Sequence, residues 1–101
     1  MSTVLTLPPE LTIYGVAELR PQWLAWVDTG RAADAPPRAE VDGSQVLDVD
    51  GAGLQLLLSL AGTLEREGRS LALTAPSATL AQACQALGLD ALLARGEGAA
   101  Q

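Results

Sequence analysis

Residues 46–60 read VLDVDGAGLQLLLSL: an apolar run ends at Asp50, three small residues follow, and a leucine-rich segment begins at once. No other feature constrains the chain as strongly. Residues before Asp50 suit a buried strand, and those after it recur at helical spacing. Leu54, Leu57, Leu58, Ala61 and Leu64 form the inward stripe of a helix predicted over residues 51–67, with Gly68 as its C-terminal cap. A short buried strand, SLALT, is predicted at 70–74. Ser77 then serves as N-cap of a third helix with Leu80, Cys84 and Leu87 facing inward and Gly88 ending it. Asp90 caps a last turn carrying Leu92 and Leu93.

Upstream of the junction, residues 3–7 read as a strand, stopped by Pro8 and Pro9, which cannot donate to a ladder. Leu11, Ile13 and Tyr14 continue in an extended segment that Gly15 breaks. Val16, Leu19, Trp23, Trp26 and Val27 share one helical face, which predicts a helix over 16–28. Pro21 is tolerable only near a first turn, so a late or irregular start is expected. Residues 29–38 read as a loop, and 40–42 as a strand continued at 46–49 with a bend or bulge at Gly43-Ser44-Gln45. Strands alternating with helices predict an α/β fold with a mainly parallel sheet and crossover helices. The 101 residues suit one domain, with a core over about 3–93 and a frayed tail at 95–101.

Composition narrows the function classes. The net charge is −6, and the six basic residues are scattered arginines, so there is no stripe to neutralise phosphates and nucleic-acid binding is not expected. The chain has no His and no Lys, which removes the commonest general base, the commonest metal ligand and Schiff-base chemistry. No metal or cofactor is expected. Cys84, flanked by Ala and Leu, reads as a small buried hydrophobe. The N-terminus has no basic, apolar leader, and the apolar-rich stretch 54–64 is too short to cross a bilayer, so a cytoplasmic protein without direct membrane insertion is expected.

The junction at 50–53 admits several readings. As a phosphate cradle it has the right position, but it lacks the Lys and Ser/Thr of a P-loop, and Asp50 would repel a phosphate. As a tight turn it needs only Asp50 to cap the next amides and the glycines to let the helix approach the sheet. As a carboxylate pair, Asp48 and Asp50 have no accompanying nucleophile, base or metal set, so no enzyme is expected. Leu56 and Leu60 widen the apolar arc of the following helix beyond what covering one side of a sheet requires. They are either extra core or an exposed docking patch beside the loop.

A resemblance takes the reading further. The ordered set Asp50-Gly51-Ala52-Gly53-Leu54, the leucine-rich helix ending REGRSL, the short strand followed by PS, and the closing LGLDALL together resemble the STAS family of anti-sigma-factor-antagonist-like domains. The front of the chain, LTLPPELTIYGVAELR, is similar to that family's early strand, turn and first helix. The resemblance implies a STAS fold, a single small mostly parallel four-stranded sheet with helices packed against it, and a role as a bacterial protein-interaction switch. In the anti-sigma antagonists a kinase phosphorylates a Ser or Thr at the second position after the motif Asp. Here that degenerate phosphoacceptor position is Ala52, which has no hydroxyl. With the Leu56 and Leu60 patch of the apolar arc added to the motif, the expected partner surface is Asp50, Gly51, Ala52, Gly53, Gln55, Leu56 and Leu60. The implied partner is a kinase, a chemotaxis protein or a sigma-regulatory protein. The alternative is the ATPase of an ABC-type lipid transporter, with this chain as its cytoplasmic accessory subunit. Homodimers through the apolar helix are compatible with either.

Overall fold

The computed structural model describes residues 4–32 and 37–89. The elements are β1 (Leu5–Thr6), β2 (Glu10–Leu11), α1 (Val16–Ala32), β3 (Arg38–Asp42), β4 (Asp48–Val49), α2 (Gly51–Arg66), β5 (Ser70–Thr74) and α3 (Ala78–Ala86). Thr3 at the head of the expected first strand, residues 33–36 of the expected loop, the Asp90 cap, Leu92, Leu93 and the tail at 95–101 lie outside the described residues.

The expected single four-stranded sheet is instead two parallel sheets, one of three strands ordered β1-β3-β5 and one of two, β2-β4. The cause is a pair of bends at the same level of the structure. On the first chain segment, Leu7 still donates to the Asp42 carbonyl at 2.9 Å, but Pro8 and Pro9 have no N–H to extend that ladder. The Pro9 carbonyl instead accepts from Leu47 and Asp48 at 2.8 and 3.0 Å, joining the segment to β4. On the second segment, the Asp42 carboxylate accepts from the Ser44 amide at 2.9 Å and turns the chain after β3. The predicted bulge at 43–45 is therefore the point where the chain leaves one sheet for the other. Gly43 is buried there, and a Cβ would lie 2.7 Å from Leu80 Cδ2, so α3 seats directly on its backbone.

Helix α1 departs from expectation at both ends. It starts at Val16 without delay and runs through Thr29 and Gly30, beyond the end that the sequence predicts at residue 28. Pro21 sits inside it. The carbonyl that loses its partner belongs to Ala17, and both residues are exposed, on a side of the helix where solvent can take the amide's place. Trp23 and Val27 are buried, with Leu19 and Trp26 packed beside them, as the periodicity requires. Gly30 lies beside the Arg69 side chain: a Cβ there would sit 2.7 Å from Nη1, a contact that this flexible guanidinium, 5.9 Å from the centre of the Trp26 ring, could relieve by shifting.

The remaining elements follow the sequence closely. β5 spans the predicted residues, with Leu71, Ala72 and Leu73 all buried. Gly68 and Gly88 have φ of +75° and +71° and close α2 and α3 with the same pair of bonds. Gly68 donates to Glu65 and Arg69 to Leu64, while Gly88 donates to Gln85 and Leu89 to Cys84. Ser77 Oγ accepts from the Leu80 amide at 3.1 Å, as a cap should. Leu80 and Cys84 are fully buried, but Leu87 is 60% exposed because the chain turns out of the helix at that residue. The core joins Leu7, Leu11, Val41, Val46, Leu57, Leu64, Leu71 and Leu73 between the sheets and the helices. Among the described residues no helix is long and apolar enough to cross a membrane.

Candidate functional site

The Asp50 side chain organises the junction that drew attention in the sequence. Its backbone is extended, with φ −129° and ψ −178°, and it is the N-cap of α2. Oδ1 accepts from the Gly53 amide at 3.0 Å, satisfying one of the orphan donors of the first helical turn. Oδ2 accepts from the Ile13 amide at 2.9 Å, and the Asp50 amide donates to the Leu11 carbonyl at 3.2 Å. One carboxylate thus ties the start of α2 to the segment following β2, 37 residues away in the chain. The Ile13 and Gly53 amides together hold the Asp50 carboxyl below the ordinary carboxylate range. The same carboxylate engages the Gly53 amide, one of the donors that a phosphate cradle at this turn would use.

The two glycines of the motif differ in their reasons. A Cβ on Gly53 would lie 1.9 Å from the Leu11 carbonyl oxygen, so the α2 backbone abuts the β2 backbone. At Gly51 a Cβ would meet nothing within 4 Å. The close approach of helix and strand therefore depends on Gly53 alone.

The anticipated surface residues separate into two groups. Gly51 and Gln55 are exposed and Asp50 and Ala52 partly so, which places these four at the accessible start of α2. Gly53 is buried against Leu11, and Leu60 is 4% exposed, part of the core. Leu60 is therefore corrected from exposed patch to packing, because α1 covers that side of α2. Leu56 is intermediate, packed partly against the core. Two residues absent from the expected surface lie beside it. Ile13, whose amide binds Asp50, is 57% exposed, and Tyr14 is 92% exposed. They belong to a turn closed by the Gly15 amide on the Thr12 carbonyl, not to the extended segment expected there. The available signal was Gly15 itself: apolar residues forced into a turn cannot alternate into a core.

Replacing Gly53 by Ala is expected to lower stability by about 3 kcal/mol, since two backbones must separate, while Gly51→Ala should stay within about 1 kcal/mol of wild type; urea unfolding of both variants checks the contrast. Asp50 also sets an acid dependence. Its lowered pKa means that its stabilising contribution is complete above the unfolded carboxylate value near pH 4 and is lost as pH falls through the folded value. Asp50→Ala should therefore be less stable at neutral pH and lose less stability than wild type between about pH 4 and pH 2, read as denaturant midpoints at each pH.

A family model described as "Mlab, STAS domain" matches residues 1–94. Among solved structures, a sulfate transporter family protein from Wolinella succinogenes superposes with a TM-score of 0.66 at 19% identity, covering 94% of this chain and 76% of that one, a likeness of fold. No curated protein matches the sequence significantly. The family match spans every described element, including the strand, the Asp50-capped turn and the leucine-rich helix, and the chain accordingly belongs to the STAS domain family, whose members are protein-interaction and regulatory modules.

Proposed function

We propose that this chain is a non-enzymatic interaction module of bacterial signal transduction, anti-sigma-antagonist-like or chemotaxis-associated, that works in the cytoplasm without a phosphorylation switch. The observation that carries the reading is Ala52. It stands in the first turn of α2, partly exposed, two residues beyond the Asp50 cap, where the family's switch would require a hydroxyl. A phosphoryl group there would bring roughly −1.5 to −2 charges beside the Asp50 carboxylate. Without it, the surface formed by Asp50, Gly51, Ala52 and Gln55, with Ile13 and Tyr14 alongside, keeps one charge state and one shape. A partner reading that surface stays docked until it is displaced by competition rather than by phosphorylation.

A second reading associates the chain with a transporter. A solved neighbour is a sulfate transporter family protein. The second reading is a STAS accessory subunit that docks on the ATPase of an ABC-type lipid transporter; the neighbour shares its fold with this chain and its name cites a transporter family, without naming such a partner. Both readings use a protein partner and the same end of the domain, so the identity of the partner separates them.

Capture of partners from the source organism's lysate, with the purified chain as bait, is the test. A kinase, chemotaxis or sigma-regulatory protein supports the first reading, and a transporter ATPase moves the chain to the second. Gly51→Arg and Tyr14→Ala, both on exposed positions, should each cut recovery by about tenfold if this end is the interface; undiminished recovery with both would place the interface elsewhere. Once the partner kinase is in hand, Ala52→Ser should accept phosphate from it, and continued resistance would show that more than the missing hydroxyl blocks the switch.

A further inference from the structure

A groove of about 320 Å³ runs between α1 and α2. Trp23, Leu24, Leu56 and Leu60 supply its apolar lining, and Arg20 and Arg66 its charge. Trp23 and Leu60 are 3% and 4% exposed, so they belong to the core, whereas Leu24 is 44% exposed and has open surface to cover. Arg66 is held toward the preceding turn by a 3.1 Å bond from Nη2 to Thr63 Oγ1. No Asp or Glu lines the groove, although the chain carries twelve acidic residues and only six basic ones. A local positive site thus stands on a molecule of net charge −6. At ordinary ionic strength the screening length is about 10 Å, so an occupant responds to the two guanidiniums it touches more than to distant carboxylates.

We propose that this groove docks an acidic amphipathic helix of a partner protein. Arg20 and Leu24 stand one turn apart on α1, and Leu56 and Arg66 face them from α2, so each wall presents a row that pairs an accessible apolar residue with an arginine. A partner helix meets such rows with apolar anchors at i and i+3 or i+4. The volume is at the lower end for small-molecule clefts and suits one or two large aliphatic side chains, seated between Leu24 and Leu56 over Trp23. Carboxylates flanking those anchors reach Arg20 and Arg66, where a guanidinium offers paired donors. The groove extends the docking reading along α2, away from the Asp50 turn; it rests on the chain being an interaction module and not on the turn being the contact.

The probes are two blocked helical peptides of about 15 residues with identical leucines at i and i+4, one carrying flanking glutamates and the other lysines. Each is titrated into the full chain, with binding read by calorimetry and by amide shifts at Leu24 and Leu56. The glutamate peptide is expected to bind at least about tenfold more tightly, and an Arg20→Glu, Arg66→Glu double variant to reverse the preference. Both arginines are exposed, and circular dichroism confirms that the double variant is folded. Equal binding of the two peptides, or binding of neither, overturns the proposal. So does saturable binding of dodecanoate with no peptide binding, which would make the groove a site for a small anionic amphiphile. Gly51→Arg should leave the glutamate peptide's affinity unchanged, and its loss would overturn the groove as a separate surface. A groove that binds as expected while Gly51→Arg fails to affect partner capture would retain this inference and remove the Asp50 turn from the interface.

Discussion

The first turn of α2 lies directly against the backbone of β2, and the structure depends on this contact. Gly53 permits the approach because it has no side chain to strike the Leu11 carbonyl. Asp50 then fastens it by accepting from Gly53 on the helix and Ile13 on the neighbouring segment. These bonds make the small β2-β4 sheet part of the domain. Two strands of two residues each are too short to be stable alone. They persist because their ends are locked to a long helix whose other face joins Leu54, Leu57, Leu60, Ala61 and Leu64 to the core.

The same lock determines what the domain presents to others. With its carboxylate engaged by backbone amides, Asp50 acts as a clamp that holds the turn in a single shape. The residues left accessible around the turn are small or polar, with one aliphatic and one aromatic side chain: Gly51, Ala52, Gln55, Ile13 and Tyr14. Such a surface suits recognition by a protein, with an aromatic side chain offering large contact area at small entropic cost. Farther along α2 the character changes. The groove beside α1 combines an apolar floor with two arginines, which gives the domain a second surface of opposite charge to its average.

Much of the fold was legible locally. The extent of β5, the Ser77 cap and the glycine closures of α2 and α3 depend on a few adjacent residues whose backbone preferences are strong. The role of Asp50 as helix cap was legible for the same reason. Its second bond, to Ile13, was not, because that partner lies 37 residues upstream. Helix α1 shows the opposite failure: Pro21 and Gly30 argued locally for a late start and an early stop, and packing overrode both. Ala17 and Pro21 lie on the exposed face, where solvent can satisfy the freed carbonyl, and Gly30 lies beside the Arg69 guanidinium that stands over Trp26.

By itself the sequence determined the alternation of strands and helices, the inward stripe of α2, the Asp50 cap and the absence of a hydroxyl at position 52, since each is a property of residue types at short spacing. Only the tertiary structure decided that the strands form two sheets, that Leu60 is core while Ile13 and Tyr14 face outward, and that Arg20 and Arg66 share a groove. Those outcomes depend on which distant segments come to share a backbone ladder or a helix face. A bend at Pro8-Pro9 matters only because another at 43–45 meets it at the same level, and a leucine is buried only when a neighbouring helix covers it.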